Sequence, residues 1–377
     1  MVTSGGISGG SCEGLVALPT AISAALDVAA RRAERVFVVG GVVRDLLMSR
    51  EIGEHDLDIV VEGQGIPFAH SLANKLQCSV RAHEPFLTAK LLAPFGVSVV
   101  AGQPLLDEVD IATARQETYE KPGALPTVTP ATIENDLWRR DFSANAIALP
   151  LDLYEQARVG QLSPSALSNL VIDPCGGYSD IKHATLRILH PRSFIDDPTR
   201  LFRAVRYIVR LSFHFDMETL AGFLEAVKSG ALATLSPRRV WNEVMVAFDE
   251  RSPCEVVQEF LQRGLFGGLP VVSVDDSAWI FEGLERLEVL RPGLGQDIFA
   301  EAGKVLIMAN LLREGREDVA KAVHEGNRVL QRARNVLDAE ANPAALRTIP
   351  DVAAAYCVYC TRELQELLAA CLNGVAK

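Results

Sequence analysis

His55-Asp56-Leu57-Asp58-Ile59-Val60-Val61-Glu62 is the stretch that decides the reading of this chain. Side chains alternate between the two faces of a strand. A strand over 56–61 therefore turns Leu57 and Ile59 into a core and projects Asp56 and Asp58 side by side. Two carboxylates that close repel each other unless a cation lies between them. Oxygen-only ligands suit Mg²⁺, which binds through one or two carboxylates plus substrate phosphates. A lone Asp-x-Asp also fits a merely solvated strand face, so the neighbours matter. Asp110, in Glu108-Val109-Asp110-Ile111-Ala112, follows the same alternation and can converge on the pair. Three convergent acids can hold two metal ions for in-line displacement at phosphorus.

Upstream, Arg35–Val39 reads as a buried strand that Gly40-Gly41 ends, with a helix opening at Val42. Glycines at such a turn let backbone N–H groups approach a phosphate, and the helix N-terminus adds a favourable dipole. An ordinary tight turn uses the same residues. The spacing matches neither Gly-x-Gly-x-x-Gly nor a Walker loop, which disfavours Rossmann and P-loop folds. Arg44-Asp45 is either a structural ion pair or a means of presenting Arg44 to a triphosphate. Downstream, Arg139-Arg140 suits phosphate oxygens by bidentate donation, while Asp141 can simply cap a helix beginning at Phe142.

Composition sets the frame. The chain has 377 residues, nearly half of them apolar, enough for two or three domains with buried cores. A net charge of −11 disfavours a generally basic, nucleic-acid-coated surface but leaves room for a local basic patch. No signal peptide or membrane span is expected. The seven cysteines, at 12, 78, 175, 254, 357, 360 and 371, suit a reducing cytoplasm better than a disulfide framework. Cys357-x-x-Cys360 has no second pair and reads as thiols one helical turn apart rather than a zinc site. Trp138, Trp241 and Trp279 read as packing residues.

Short strands mixed with helices predict an α+β head to about residue 150, after a disordered 1–20. Runs near 78–82, 86–92 and 97–101 read as strands, and the Pro/Gly/Thr-rich 117–132 as a surface loop. Helical periodicity then continues almost to the end, with a boundary near 245. Helices are expected at 254–264, 276–291, 298–313, 315–337 and Tyr356–Leu372. The helix from Leu201 places Arg200, Arg203, Arg206 and Arg210 within roughly a third of its circumference. That basic ridge either solvates the helix or faces a triphosphate or RNA. Asp197-Pro198 ahead of it has the form of a helix start.

Several motifs in order resemble the class II tRNA nucleotidyltransferase/poly(A) polymerase family of the DNA polymerase β superfamily. They are Gly40-Gly41-x-Val43-Arg44-Asp45, Asp56-x-Asp58, Phe86-x-Thr88-Ala89 and Asp110-x-Ala112-Thr113-Ala114-Arg115. Arg139-Arg140-Asp141-Phe142-x-x-Asn145-Ala146, Asp173-Pro-x-Gly176-Gly177-x-x-Asp180 and Asp197-Pro-Thr-Arg200-x-x-Arg203-Ala-x-Arg206 continue the series. Ser236–Glu243 continues it more faintly.

The resemblance implies an N-terminal polymerase-β-like head with a mixed β-sheet (21–150), then an all-helical neck (151–245) and a short body (246–377). It implies Mg²⁺-dependent, template-independent transfer of CMP and/or AMP from CTP or ATP to the 3′ end of tRNA or another RNA. A poly(A) polymerase, a CC-adding or A-adding specialist, and a silent RNA-binding homologue are the alternatives. Asp56 and Asp58 would hold the metal, with Asp110 as third acid. Gly40, Gly41, Arg44, Arg139, Arg140, Asp141 and Asn145 would hold triphosphate and ribose. Asp197 and Arg200 would read the base, flanked by Arg203 and Arg206. Asp173–Asp180 would hinge head to neck. A cytoplasmic enzyme with no evident protein partner is expected. Leu87 departs from the family's usual Gly, Asp196 from Glu, and Ser143-Ala144 from Thr-Ile.

Overall fold

The computed structural model describes residues 18–50, 56–92, 108–265, 277–313, 326–339, 342–360 and 362–372. The expected disordered stretch up to residue 17, the strand at 97–101 and residues 315–325 lie outside these. The chain divides into two compact units. One comprises residues up to 120 with 125–190, the other 121–124 with 191–377. The boundary expected near 150 falls inside the first unit and that near 245 inside the second.

The first unit is built on a six-stranded sheet. Its strands are β1 (Arg35–Val39), β2 (Asp56–Glu62), β3 (Ser79–His83), β4 (Thr88–Leu92), β5 (Glu108–Thr113) and β8 (Ala148–Pro150), in the order β3-β4-β5-β2-β1-β8. Only β2 and β5 run parallel; the other pairs are antiparallel. Helices α1 (Leu18–Arg32), α3 (Gly65–Leu76) and α5 (Leu151–Arg158) pack against the sheet. Leu57, Ile59 and Val61 are buried on one face of β2. On the opposite face Phe37, Val39 and Val60 form a core with Ile133 and Leu137 of α4 (Ile133–Trp138), Ala146 and Ala148. The short α2 (Gly41–Leu47) comes directly after β1. The alternation read from 56–61 is thus the observed one, with both faces of the central strands buried away from their ends.

The segment expected as a loop over 117–132 instead pairs β6 (Arg115–Thr118) with β7 (Thr127–Pro130) as an antiparallel hairpin. Its Thr and Val residues favour strand, and Pro130 sits at the end of β7, where a missing N–H costs least. Helices α6 (Pro164–Leu167) and α7 (Gly177–Lys182) complete the unit.

The second unit is almost wholly helical. Its elements are α8 (Ser193–Asp196), α9 (Thr199–Leu211), α10 (Met217–Lys228), α11 (Pro237–Val246), α12 (Pro253–Gln262), α13 (Ser277–Leu294), α14 (Gln296–Arg313), α15 (Gly326–Leu337), α16 (Ile349–Tyr359) and α17 (Arg362–Leu372). The single helix expected over 356–372 is two, because Cys360 takes a left-handed backbone that ends α16. Burial pushes the Cys357 thiol up to about 12, as suits a packed thiol rather than a metal ligand. Trp241 is buried as expected, whereas Trp138 is 47% exposed. No helix among the described residues is long and apolar enough to cross a membrane.

Candidate active site

Register brings the acids together. Asp58 of β2 stands directly opposite Asp110 of β5, and Asp110 opposite Lys90 of β4, which in turn faces Arg81 of β3. Residues in such register share one face. A row of two carboxylates and two cations therefore crosses the sheet. The Lys90 ammonium lies 3.5 Å from Asp110 Oδ2. Asp56 opens β2; its side chain lies outside the described residues.

Gly40 closes the site from β1. Its φ of +76° suits glycine, and a Cβ there would lie 3.5 Å from Arg140 Nη1 and 3.9 Å from Asp58 Oδ2. The Arg140 guanidinium and the Asp58 carboxylate thus both lie against this turn, where the positive φ favours glycine. Gly41 opens α2, where a Cβ would stand 3.3 Å from Arg44 Nη2.

Arg44 is 3% exposed. Its Nε and Nη2 donate to Asp45, and its Nη1 donates to Asn145 Oδ1 at 2.7 Å. Asn145 Nδ2 in turn donates to Asp141 Oδ1, which also accepts the Phe142 N–H. Two motifs a hundred residues apart are therefore one buried polar chain, Asp45–Arg44–Asn145–Asp141. The helix expected from Phe142 is a single 3₁₀ turn, Ser143–Asn145, whose N-cap is Phe142; Asp141 does not cap it but holds the Phe142 amide and the Asn145 side chain. The Asp173–Asp180 motif braces it. Asp173 accepts from the Gly177 and Tyr178 amides, and Ser143 Oγ donates to Asp180. A Cβ on Gly177 would collide with the Ser143 carbonyl oxygen.

Sequence reasoning missed Asp136. It is fully buried and accepts from Arg139, Arg140 and the Arg115 amide. Its signal was present: an acid three and four residues before two arginines, which follow directly on the end of α4. Burial pushes its carboxyl up, but the Arg140 and Arg139 guanidinium groups outweigh that and hold it below its ordinary value. Arg139 is further tied to Glu117 by Nη1 at 2.8 Å. Arg115 donates to the Phe86 carbonyl, joining the Phe86-Leu87-Thr88 turn to this cluster.

In the second unit Asp197 Oδ1 accepts from the Thr199 amide and hydroxyl at the start of α9, although the N-cap is Pro198 rather than Asp197, and it also pairs with Arg239 at 2.8 Å. Arg200 is buried and donates to Ser193 Oγ. The basic ridge is largely internal. Arg206 bonds Glu243, Arg210 bonds Glu250, and Arg203 lies over the Tyr207 ring. Burial, against Arg206 and Arg203, pushes the Glu243 carboxyl above its ordinary value.

Carboxylates are the right donors for a hard divalent cation, and Lys90 already places positive charge at Asp110. Among the described residues no three His, Cys, Asp or Glu side chains gather to hold an ion. A metal at Asp58 and Asp110 would therefore need Asp56 and substrate oxygens, which is how Mg²⁺ is ordinarily held. Asp58 and Asp110 on a mixed sheet, below a glycine turn with Arg140 beside it, bring two carboxylates and a guanidinium to one place.

Residues 36–187 match the poly(A) polymerase head domain. The chain is 40% identical over 230 residues to the A-adding tRNA nucleotidyltransferase of Geobacter sulfurreducens, covering 61% of this chain and 23% of that one. It is 41% identical over 229 residues to the A-adding enzyme of Halalkalibacterium halodurans, covering 60% and 48%. It thus spans half or less of the length of these curated relatives. An apo CCA-adding enzyme structure aligns with a TM-score of 0.70 at 27% identity, over 96% of this chain and 84% of that one. Residues 36–187 are thus similar to a poly(A) polymerase head domain, and the chain around them is similar to parts of tRNA nucleotidyltransferases.

Proposed function

We propose that this protein adds CMP and/or AMP to the 3′ end of tRNA, taking the nucleotide from CTP or ATP and releasing pyrophosphate. The observation that carries this is the opposed pair Asp58 and Asp110, with Arg140 held over Gly40 beside it. The RNA 3′-hydroxyl would attack the α-phosphorus, forming one P–O bond as the bond to the β-phosphate breaks. Asp56, Asp58 and Asp110 would hold Mg²⁺, which when bound neutralises the phosphates and favours the deprotonated hydroxyl. Arg140 would take triphosphate oxygens, while Arg44, Asn145 and Asp141 keep the turn beneath it in shape. Asp197 and Arg200 would present an acceptor and a donor to the base edge. Residues 21–150, 151–245 and 246–377 would serve as head, neck and body of a cytoplasmic enzyme. The A-adding relatives favour AMP as the nucleotide.

The test offers purified protein tRNA transcripts ending before CCA, after C and after CC, and an unstructured RNA, with CTP or ATP separately. One AMP added to the transcript ending in CC is the expected product. Long adenylate tails on any RNA would point instead to a poly(A) polymerase, and no incorporation at all would end the reading. Asp58→Ala should keep the wild-type unfolding transition and lose incorporation; retained turnover would remove Asp58 from the metal site.

A further inference from the structure

We propose that Asp136 is a positioning residue for the triphosphate, acting through Arg140. The inference rests on the nucleotidyl-transfer reading above. The two oxygens of this buried carboxylate divide their work. Oδ1 accepts the Arg115 amide at 3.1 Å and Arg139 Nε and Nη2 at 2.9 and 2.8 Å. Oδ2 accepts Arg140 Nη2 at 3.1 Å. Oδ1 thus pins the scaffold and Oδ2 aims one guanidinium.

That guanidinium is not fully consumed. Arg140 Nε is buried with no hydrogen-bond partner among the described residues, and Nη1 is the atom that reaches the Gly40 turn beside Asp58. Around it, the three guanidinium groups of Arg115, Arg139 and Arg140 face the two carboxylates of Asp136 and Glu117. Burial first, then the neighbouring Arg139, holds Arg115 below its ordinary value, while Arg139, against its own burial, is held above its ordinary value by Asp136 and Glu117. A cluster serving stability alone gains little from buried ion pairs over apolar packing. A surplus cation aimed at a glycine turn next to a metal-ligating acid has an obvious use, which is a polyphosphate. Bidentate donation requires the guanidinium plane to be fixed, and Asp136 fixes it from behind.

Binding to the full-length protein separates this role from mere stability. ATP and AMP are titrated by calorimetry in EDTA, without RNA, so that only the protein's own groups hold the phosphates. Wild type should bind ATP more tightly than AMP; if it does not, the nucleotidyl-transfer reading itself fails. Asp136→Asn should weaken ATP about tenfold, equivalent to about 1.4 kcal/mol, and AMP by less than twofold. In an Arg140→Gln background the same substitution should have no further effect on ATP. An unchanged ATP-to-AMP preference in a folded Asp136→Asn protein would overturn the proposal. So would an undiminished loss in the Arg140→Gln background. Should Asp136→Asn fail to fold, Arg140→Lys keeps the charge but loses the planar fork. It should lose ATP affinity by a similar factor with its unfolding midpoint unchanged, and full ATP affinity in that variant would equally refute the role.

Discussion

Leu87 carries a φ of +53°, a left-handed backbone that costs a side-chain-bearing residue about 1 kcal/mol and glycine almost nothing. Its carbonyl accepts the Thr113 amide, so the conformation is built into the sheet edge. A left-handed backbone here favours Gly, the residue usual at this point of the resembled motif, and nothing in the structure explains why Leu87 stands there instead. Comparing Leu87→Ala with Leu87→Gly isolates the backbone, because both remove the side chain. Glycine should be the more stable of the two by about 1 kcal/mol in denaturant unfolding, the reverse of its ordinary rank. The sequence showed that position 87 was unusual but not why, since a dihedral angle has no signature in a single leucine. Asp136 was overlooked for a related reason, despite its spacing to Arg139 and Arg140. An acid on a short helix reads as a solvated face until the fold shows that the helix is covered. That Asp58 and Asp110 share a sheet face was legible, because period-two alternation with Val and Ile already implies which face each takes.

Among elements, the turn Ser143–Asn145 depends on the approach of α7. Gly177→Ala would drive a methyl into the Ser143 carbonyl, backbone against backbone, which cannot yield as a flexible side chain can. A loss of about 2–3 kcal/mol is expected, measured as a fall in the urea midpoint. Gly293→Ala is the contrast. A Cβ there meets nothing, the residue lies near the end of α13, and stability should be unchanged or rise by about 0.5 kcal/mol. Helices were read well where apolar periodicity was long, as at α9, α12 and α14. Elements were lost where register decided the outcome. The β6–β7 hairpin sits in a Pro/Gly-rich stretch, and its pairing of Arg115 with Pro130 leaves no local trace. The arginine ridge on α9 was correctly placed on one face of the helix. Its partners Glu243 and Glu250 lie 37 and 40 residues further on, so periodicity could not show that the ridge turns inward.

For the whole molecule, the two units should answer acid differently. Asp136 has a lowered folded value, so its stabilisation is complete above the ordinary 3.8 and is lost as pH falls below that. Glu243 has a raised folded value, so the folded state takes up its proton first, and stability rises as pH falls towards the ordinary 4.5. Unfolding free energy measured against pH should therefore show two separable effects. Glu243→Gln should flatten the slope on the way down to pH 4.5, and Asp136→Asn should flatten the one below pH 3.8. If the wild-type curve passes through both windows unchanged in either variant, these carboxyls do not control acid stability. Fold class and head motifs were legible because they are carried by short, ordered patterns; the division of the chain was not, because it is not sequential. Residues 121–124 count with the helical unit although the chain on either side counts with the sheet unit. Within the helical unit, the Gly123 amide donates to the Asp196 carbonyl and the Gly123 carbonyl accepts Arg239 Nη1. Scission after His190 would therefore leave the C-terminal fragment without a tetrapeptide that its own Arg239 requires. The C-terminal fragment should be less stable alone than in the whole chain, and adding a peptide spanning 121–124 should restore part of what it has lost.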